Sequence, residues 1–255
     1  MAVSRRAFAK NAAAAIGSLG LSSFANANQF TNQQKLKVVC VGGHPDDPET
    51  GCGGTLAKLI AAGCEVTIIY LTTGEAGIEG VSHKDAAATR KAEAEAACKI
   101  LKAKPVFAGQ VDGDTIVNTE WIKKLSELIA NEKPAIVFTH WPIDSHKDHQ
   151  AASFLTMQAW MRADKKFDLY FFEVCSGSQT TGFRPDTYID ISDVQHLKKK
   201  AVYCHTSQQP DAIYSSKDCN HAMMEKFRGI EMNVNAAEAF VKMEAASGLQ
   251  NMIGR

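Results

Sequence analysis

No stretch of this chain is apolar for long enough to make a lasting membrane span, which needs ~20 residues. Nor does either charge dominate. Twenty-eight Lys and Arg balance 28 Asp and Glu, so nothing points to a nucleic-acid or anionic-membrane surface. There is no Cys-x-x-Cys pair, and the seven cysteines (40, 52, 64, 98, 175, 204 and 219) are odd in number and mostly lie inside apolar runs. A disulfide framework is therefore not expected, although one bridge has room, and a cysteine metal site is disfavoured. Internal repeats, low-complexity tracts and interior linkers are also missing. With 255 residues, 45% of them hydrophobic, the chain can bury a substantial core as one domain.

The first 27 residues read as a leader. Ser4-Arg5-Arg6-Ala7-Phe8-Ala9-Lys10 has the twin-arginine form, a moderately apolar stretch follows, and Ala25-Asn26-Ala27 is a small-x-small cleavage site. The leader carries three basic groups and no acid, so its removal leaves 25 basic against 28 acidic groups, a net charge of −3. The expectation is a chain exported in folded form to the periplasm or another extracytoplasmic space, with its domain over 28–255.

Strands and helices alternate through that domain. Strands are expected at 36–41, 65–72, 105–108, 135–140, 169–174 and 187–191. Helices are expected at 51–62, 84–102, 119–131, 148–163 and 193–205, with a mostly helical tail over 219–246. Such alternation predicts βαβ units. The fold class is α/β, a single Rossmann-like domain with a mainly parallel central sheet flanked by helices. Gly51-Cys52-Gly53-Gly54 lacks the Gly-x-Gly-x-x-Gly spacing of a dinucleotide site, and no P-loop Lys follows it. Its expected job is close backbone approach beneath a site.

Two clusters carry chemistry. His44-Pro45-Asp46-Asp47 follows the first apolar strand, and His146-Lys147-Asp148-His149 follows another about one hundred residues on. Open α/β sheets bind ligands at the carboxyl ends of their strands. If the two strands run the same way, both clusters arrive at one rim. They could supply two imidazoles and a carboxylate to a divalent metal, with one carboxylate left to move a proton. Arg90 and Glu93 read by default as an exposed helical charge pair, and His205 as the cationic end of a helix. His83, His140, His196 and His221 receive no role.

These pieces together resemble the LmbE/PIG-L family of zinc-dependent N-acetyl-sugar deacetylases. The matching motifs are His-Pro-Asp-Asp with Gly-Gly-Thr-Leu-Ala (44–47, 53–57), Leu-Thr-Thr-Gly-Glu-Ala-Gly (71–77), Arg90-x-x-Glu93 and Asp112-Gly113. His146-x-Asp148-His149, Tyr-Phe-Phe-Glu (170–173), His205-x-Ser207-Gln208 and Ala237-Glu238-Ala239-Phe240 complete the set. The resemblance implies His44, Asp47 and His149 as ligands of Zn²⁺ or another divalent ion, and Asp46 as general base. It implies His146 as oxyanion or leaving-group stabiliser, with Asp148 orienting it, and Arg90 and Asp112 as substrate contacts. The implied substrate is an N-acetylated sugar or glycoconjugate, and a homo-oligomer is possible. A metal-dependent hydrolase of another amide, or a non-catalytic sugar- or nucleotide-binding protein, are the alternatives. Pro48 stands where the family commonly has Glu, with Glu49 one place later.

Overall fold

The computed structural model describes residues 35–216 and 220–244; the leader expected over 1–27 lies outside them, as does Cys219. Seven strands form one sheet in the order β3-β2-β1-β4-β5-β7-β6. Strand β1 (Lys37–Gly42) leads into helix α1 (Asp47–Ala61), β2 (Glu65–Thr72) into α2 (His83–Leu101), and β3 (Lys104–Gln110) into α3 (Thr119–Glu132). Then come β4 (Ile136–His140), α4 (Lys147–Arg162), β5 (Asp168–Phe172), β6 (Thr187–Asp190), α5 (Gln195–Val202) and the short α6 (Pro210–Tyr214). Helix α7 (His221–Met232) and β7 (Ala237–Lys242) close the described fold.

Strands β1 to β5 pair in parallel, and β7 runs antiparallel between β5 and β6. The central parallel strands are mostly apolar because helices cover both faces, whereas edge strand β3 carries Lys104 and Gln110. Along β1, Val38 and Cys40 pack into one core with Leu56, Ile68 and Phe138, while Val39 and Val41 pack into the other with Ile69, Leu125 and Leu155.

The sheet reverses its order beside β1, with β2 and β3 on one side and β4 and β5 on the other. Strands β1 and β4 are neighbours of the same sense, with Val41 opposite Thr139. The crevice beyond their carboxyl ends is where this architecture binds ligands, and the two clusters follow those two strands.

One expectation fails. The Ala-rich tail is not helical to residue 246, because Ala237–Lys242 is a buried strand. Alanine favours helix locally, but pairing on both edges and burial of Ala237, Ala239 and Phe240 override that preference. Helix α1 begins four residues before the expected Gly51 and breaks regularity at Cys52, where φ is −146°. A side chain at Gly51 would collide with the Phe172 ring, and one at Gly54 would meet Ile191 at 2.8 Å. The glycine run thus serves close packing of α1 on the sheet. Cys175 is disulfide-bonded, whereas Cys40, Cys52, Cys64, Cys98 and Cys204 are free. No described helix is long and apolar enough to cross a membrane.

Candidate metal centre

The turn after β1 folds back on itself. The His44 amide donates to Asp47 Oδ2 at 2.7 Å, and Pro45 stiffens the corner between them. Imidazoles then crowd both Asp47 oxygens: His44 Nδ1 lies 3.2 Å and His140 Nε2 3.3 Å from Oδ2, and His149 Nε2 lies 3.3 Å from Oδ1. His149 comes from the first turn of α4, which the His146 side chain caps by accepting the Asp148 amide. The two clusters therefore share one rim.

The imidazoles of His44 and His149 are each held from behind by carboxylates. His44 Nε2 lies 3.0 Å from Asp112 and 3.1 Å from Asp148, and His149 Nδ1 lies 3.2 Å from Asp144. A carboxylate on the far nitrogen fixes the ring and raises the basicity of the near one, which is the usual support of a metal-binding histidine. Among the described residues, three sets of donors have their atoms within 4.8 Å of one another: His44, His146 and His149; Asp47, His140 and His149; His44, Asp112 and Asp148. Imidazoles with carboxylate oxygens suit zinc and similar divalent ions, so the residues present fit such an ion.

The charges agree with that fit. Burial alone would lower the pKa values of both histidines, but the surrounding carboxylates raise His44 well above its ordinary range and His149 to about 9. Burial would raise Asp47, yet His149 and His140 hold it well below the usual carboxylate range. Asp46 differs: burial pushes it up to about 6, with Arg90 opposing and Asp47 adding to the rise.

Asp46 sits at φ 106°, a left-handed conformation that costs a non-glycine residue energy. Three contacts hold it there. Arg90 Nη2 donates to Asp46 Oδ2 at 2.9 Å and to the Pro45 carbonyl at 2.5 Å, and the Asp46 amide donates to Glu49 Oε2 at 3.2 Å. Glu49 is itself fixed by the Tyr70 hydroxyl at 2.5 Å.

Arg90 and Glu93 are thus not an exposed pair. Arg90 is buried against the Asp46 turn, and Glu93 is buried, accepting the Ser207 amide and hydroxyl at 2.7 Å each. Arg90 and Asp112 both border the cavity; Arg90 Nη2 is engaged with Asp46, and Asp112 Oδ1 with His44. Asp148 does not orient His146 through its carboxylate. That group holds His44 and accepts the Gly113 amide at 2.8 Å and the Thr115 hydroxyl at 2.6 Å, and only the Asp148 amide touches His146.

Sequence reasoning missed Asp144, Glu49 and His140. Asp144 left a signal as an acid two residues ahead of the second cluster, and Glu49 as the acid one place beyond the usual family Glu. His205 is fully buried, 3.6 Å from Glu49, and so is no solvated helix end. A cavity of about 520 Å³ opens over this centre, with His44, Asp46, Asp47 and His149 at its base and His221, also without a role in the sequence reading, in its lining.

Fold and rim together define an α/β protein of the Rossmann-like class with a histidine–carboxylate centre at its topological switch point. The chain belongs to the PIG-L family: the family of GlcNAc-PI de-N-acetylases matches residues 39–160. It is 33% identical over 192 residues to the diacetylchitobiose deacetylase of Thermococcus kodakarensis, covering 70% of this chain and 72% of the relative. It is also 26% identical over 200 residues to the 4-oxalmesaconate hydratase of Pseudomonas putida, covering 70% and 76%. The solved N,N'-diacetylchitobiose deacetylase from Pyrococcus horikoshii superposes with a TM-score of 0.72 at 26% identity, covering 94% of this chain and 95% of that one.

Proposed function

We propose that this chain is a metal-dependent hydrolase that removes the N-acetyl group from an N-acetylglucosamine-type sugar or glycoconjugate. The observation that carries this reading is Asp46. It lines the same cavity as His44, Asp47 and His149 and belongs to none of the close donor sets. The archaeal diacetylchitobiose deacetylases support the choice of an acetylated sugar.

Zinc, or another divalent ion, would be held by His44, Asp47 and His149, where it would polarise the amide carbonyl and lower the pKa of water from ~15.7 towards about 7. Asp46, with its pKa near neutrality, removes a proton from the attacking water and returns it to the departing amine. The water oxygen adds to the acyl carbon, the C–N bond breaks, and acetate and a free amino sugar leave. Burial and the charges of His44 and His149 lower the pKa of His146. Its Nδ1 accepts the Asp148 amide at 3.2 Å, which assigns the proton to Nε2 as a donor for the developing oxyanion. Arg90 acts through Asp46, restraining the base and its turn. Export on a twin-arginine leader, itself proposed from residues 4–27, would place the substrate among envelope or extracellular glycans.

The test is acetate release from N-acetylated glycans by the zinc-loaded chain with its leader removed, alongside His149→Ala. Acetate from the parent chain, with metal and activity lost together in the variant, is the expected result. No acetate from any such glycan sinks the sugar-deacetylase reading, and full zinc occupancy in His149→Ala removes that residue from the ligand set.

Metal removal should expose the protons that the ion displaces. A group whose folded pKa is raised stabilises the fold below its unfolded value, 6.5 for His149, and loses that contribution as pH climbs through about 9. The metal-free chain should therefore lose stability across that window, while zinc affinity rises because the protons come off. Melting curves in chelator and in zinc, compared at the two ends of the window, check this. A gap between the curves that does not widen with pH counts against it.

A further inference from the structure

We propose that His140 is a positioning residue for the metal, holding the Gly43 end of the ligand turn and the ring of His149 in the arrangement that receives the ion; the inference rests on the metal-dependent reading above. His140 is the last residue of β4 and is wholly buried. Its ring lies face to face on His149, with centroids 4.1 Å apart and planes at 12°, and Phe172 packs against it at 4.6 Å. Its Nε2 accepts the Gly43 amide at 3.0 Å and lies 3.3 Å from Asp47 Oδ2.

These contacts restrain what other residues leave free. Asp144 ties His149 at Nδ1 but does not fix the tilt of its plane. The stack with His140 does, closer and flatter than the stack of His146 on the same ring at 4.7 Å and 22°. Gly43 opens the ligand turn: its carbonyl accepts the Thr72 amide and hydroxyl, each at 3.0 Å, and its amide goes to His140. The turn is thereby strung between β2 and β4, the neighbours of β1. There is no slack, because a Cβ at Gly43 would stand 3.0 Å from His149 and 3.2 Å from Asp47.

The same contacts argue that His140 is not itself a ligand. Its Nε2 lone pair is committed to Gly43, and Nδ1 is buried with no hydrogen-bond partner. An unpaired buried nitrogen lowers stability, so an ordinary aromatic core residue would fill this space at less cost. What imidazole adds is the nitrogen that meets the ligand turn.

The test measures zinc affinity by chelator competition and melting temperature with and without zinc in the parent chain, His140→Ala and His140→Phe. The phenylalanine variant keeps a ring against His149 and protects the fold if the alanine variant collapses. Both should bind zinc 10- to 100-fold more weakly, the loss typical when support behind a metal ligand is removed. The rise in melting temperature on adding zinc should shrink accordingly, and the visible spectrum of the cobalt-substituted protein should change shape. A purely structural residue would lower both melting temperatures equally. Unchanged zinc affinity and cobalt spectrum in His140→Phe would overturn the proposal. A parent chain that gains no stability from zinc would instead overturn the metal-dependent reading, and this inference with it.

Discussion

Asp46→Asn is expected to keep its metal while acetate release falls ~10²- to 10⁴-fold, the span that a general base contributes. Asparagine is the informative replacement for two reasons. It tolerates the left-handed backbone that position 46 requires, where most residues would strain the turn. Its side-chain oxygen can also still accept from Arg90, which now reaches Oδ2 at 2.9 Å. What disappears is the capacity to take and return a proton. Zinc content and melting temperature should stay near those of the parent chain, because His44, Asp47 and His149 are untouched. A variant with full turnover would remove Asp46 from the mechanism. A variant that loses zinc would show instead that the two neighbouring carboxylates cannot be assigned separate tasks.

The second large effect concerns the fold. Lys198→Ala should lower the unfolding free energy by about 3–5 kcal/mol, the cost of stranding buried charges by removing one partner. Lys198 is buried, with Nζ 2.7 Å from Glu238 and 2.9 Å from Glu225. Burial alone would discharge this lysine, but the two glutamates hold its pKa well above the usual value. Glu238 in turn accepts the Gly54 amide at 2.9 Å and the Thr55 amide at 2.7 Å, just past the irregular turn of α1 at Cys52. Glu225 accepts the Tyr214 hydroxyl at 3.0 Å, tying α6 to α7. Without Lys198, two buried carboxylates would face each other with no cation between them. Since whole domains are stable by only about 5–15 kcal/mol, urea midpoints will register the change. An unaltered midpoint would mean that the network contributes nothing net.

Glu238 also shows where local reading of the sequence runs out. Ala237-Glu238-Ala239-Phe240 has the composition of a helix end, and its neighbours gave no contrary signal. Its strand conformation comes from edges offered by β5 and β6, and the Glu238 charge is met there by Lys198 from α5 together with the Gly54 and Thr55 amides. Arg90 and Glu93 misled in the same way. Their spacing is that of a surface pair, and only the packing of α2 against the 45–46 turn and the 206–208 segment shows both to be buried.

The sequence alone determined the alternation of strand and helix, the clusters at two strand ends, the close approach at the glycine run and the family resemblance. Each of these is local, readable from side-chain period or from residues within a few places of one another. Tertiary structure decided which carboxylate stands behind which imidazole. Asp148 supports His44 across 104 residues rather than its neighbour His146, and Asp112 reaches the same ring from the loop after β3. It also brought His140 against His149 and Arg90 against Asp46. Contacts of that kind depend on the order and sense of strands β1 and β4, and no spacing along the chain encodes them.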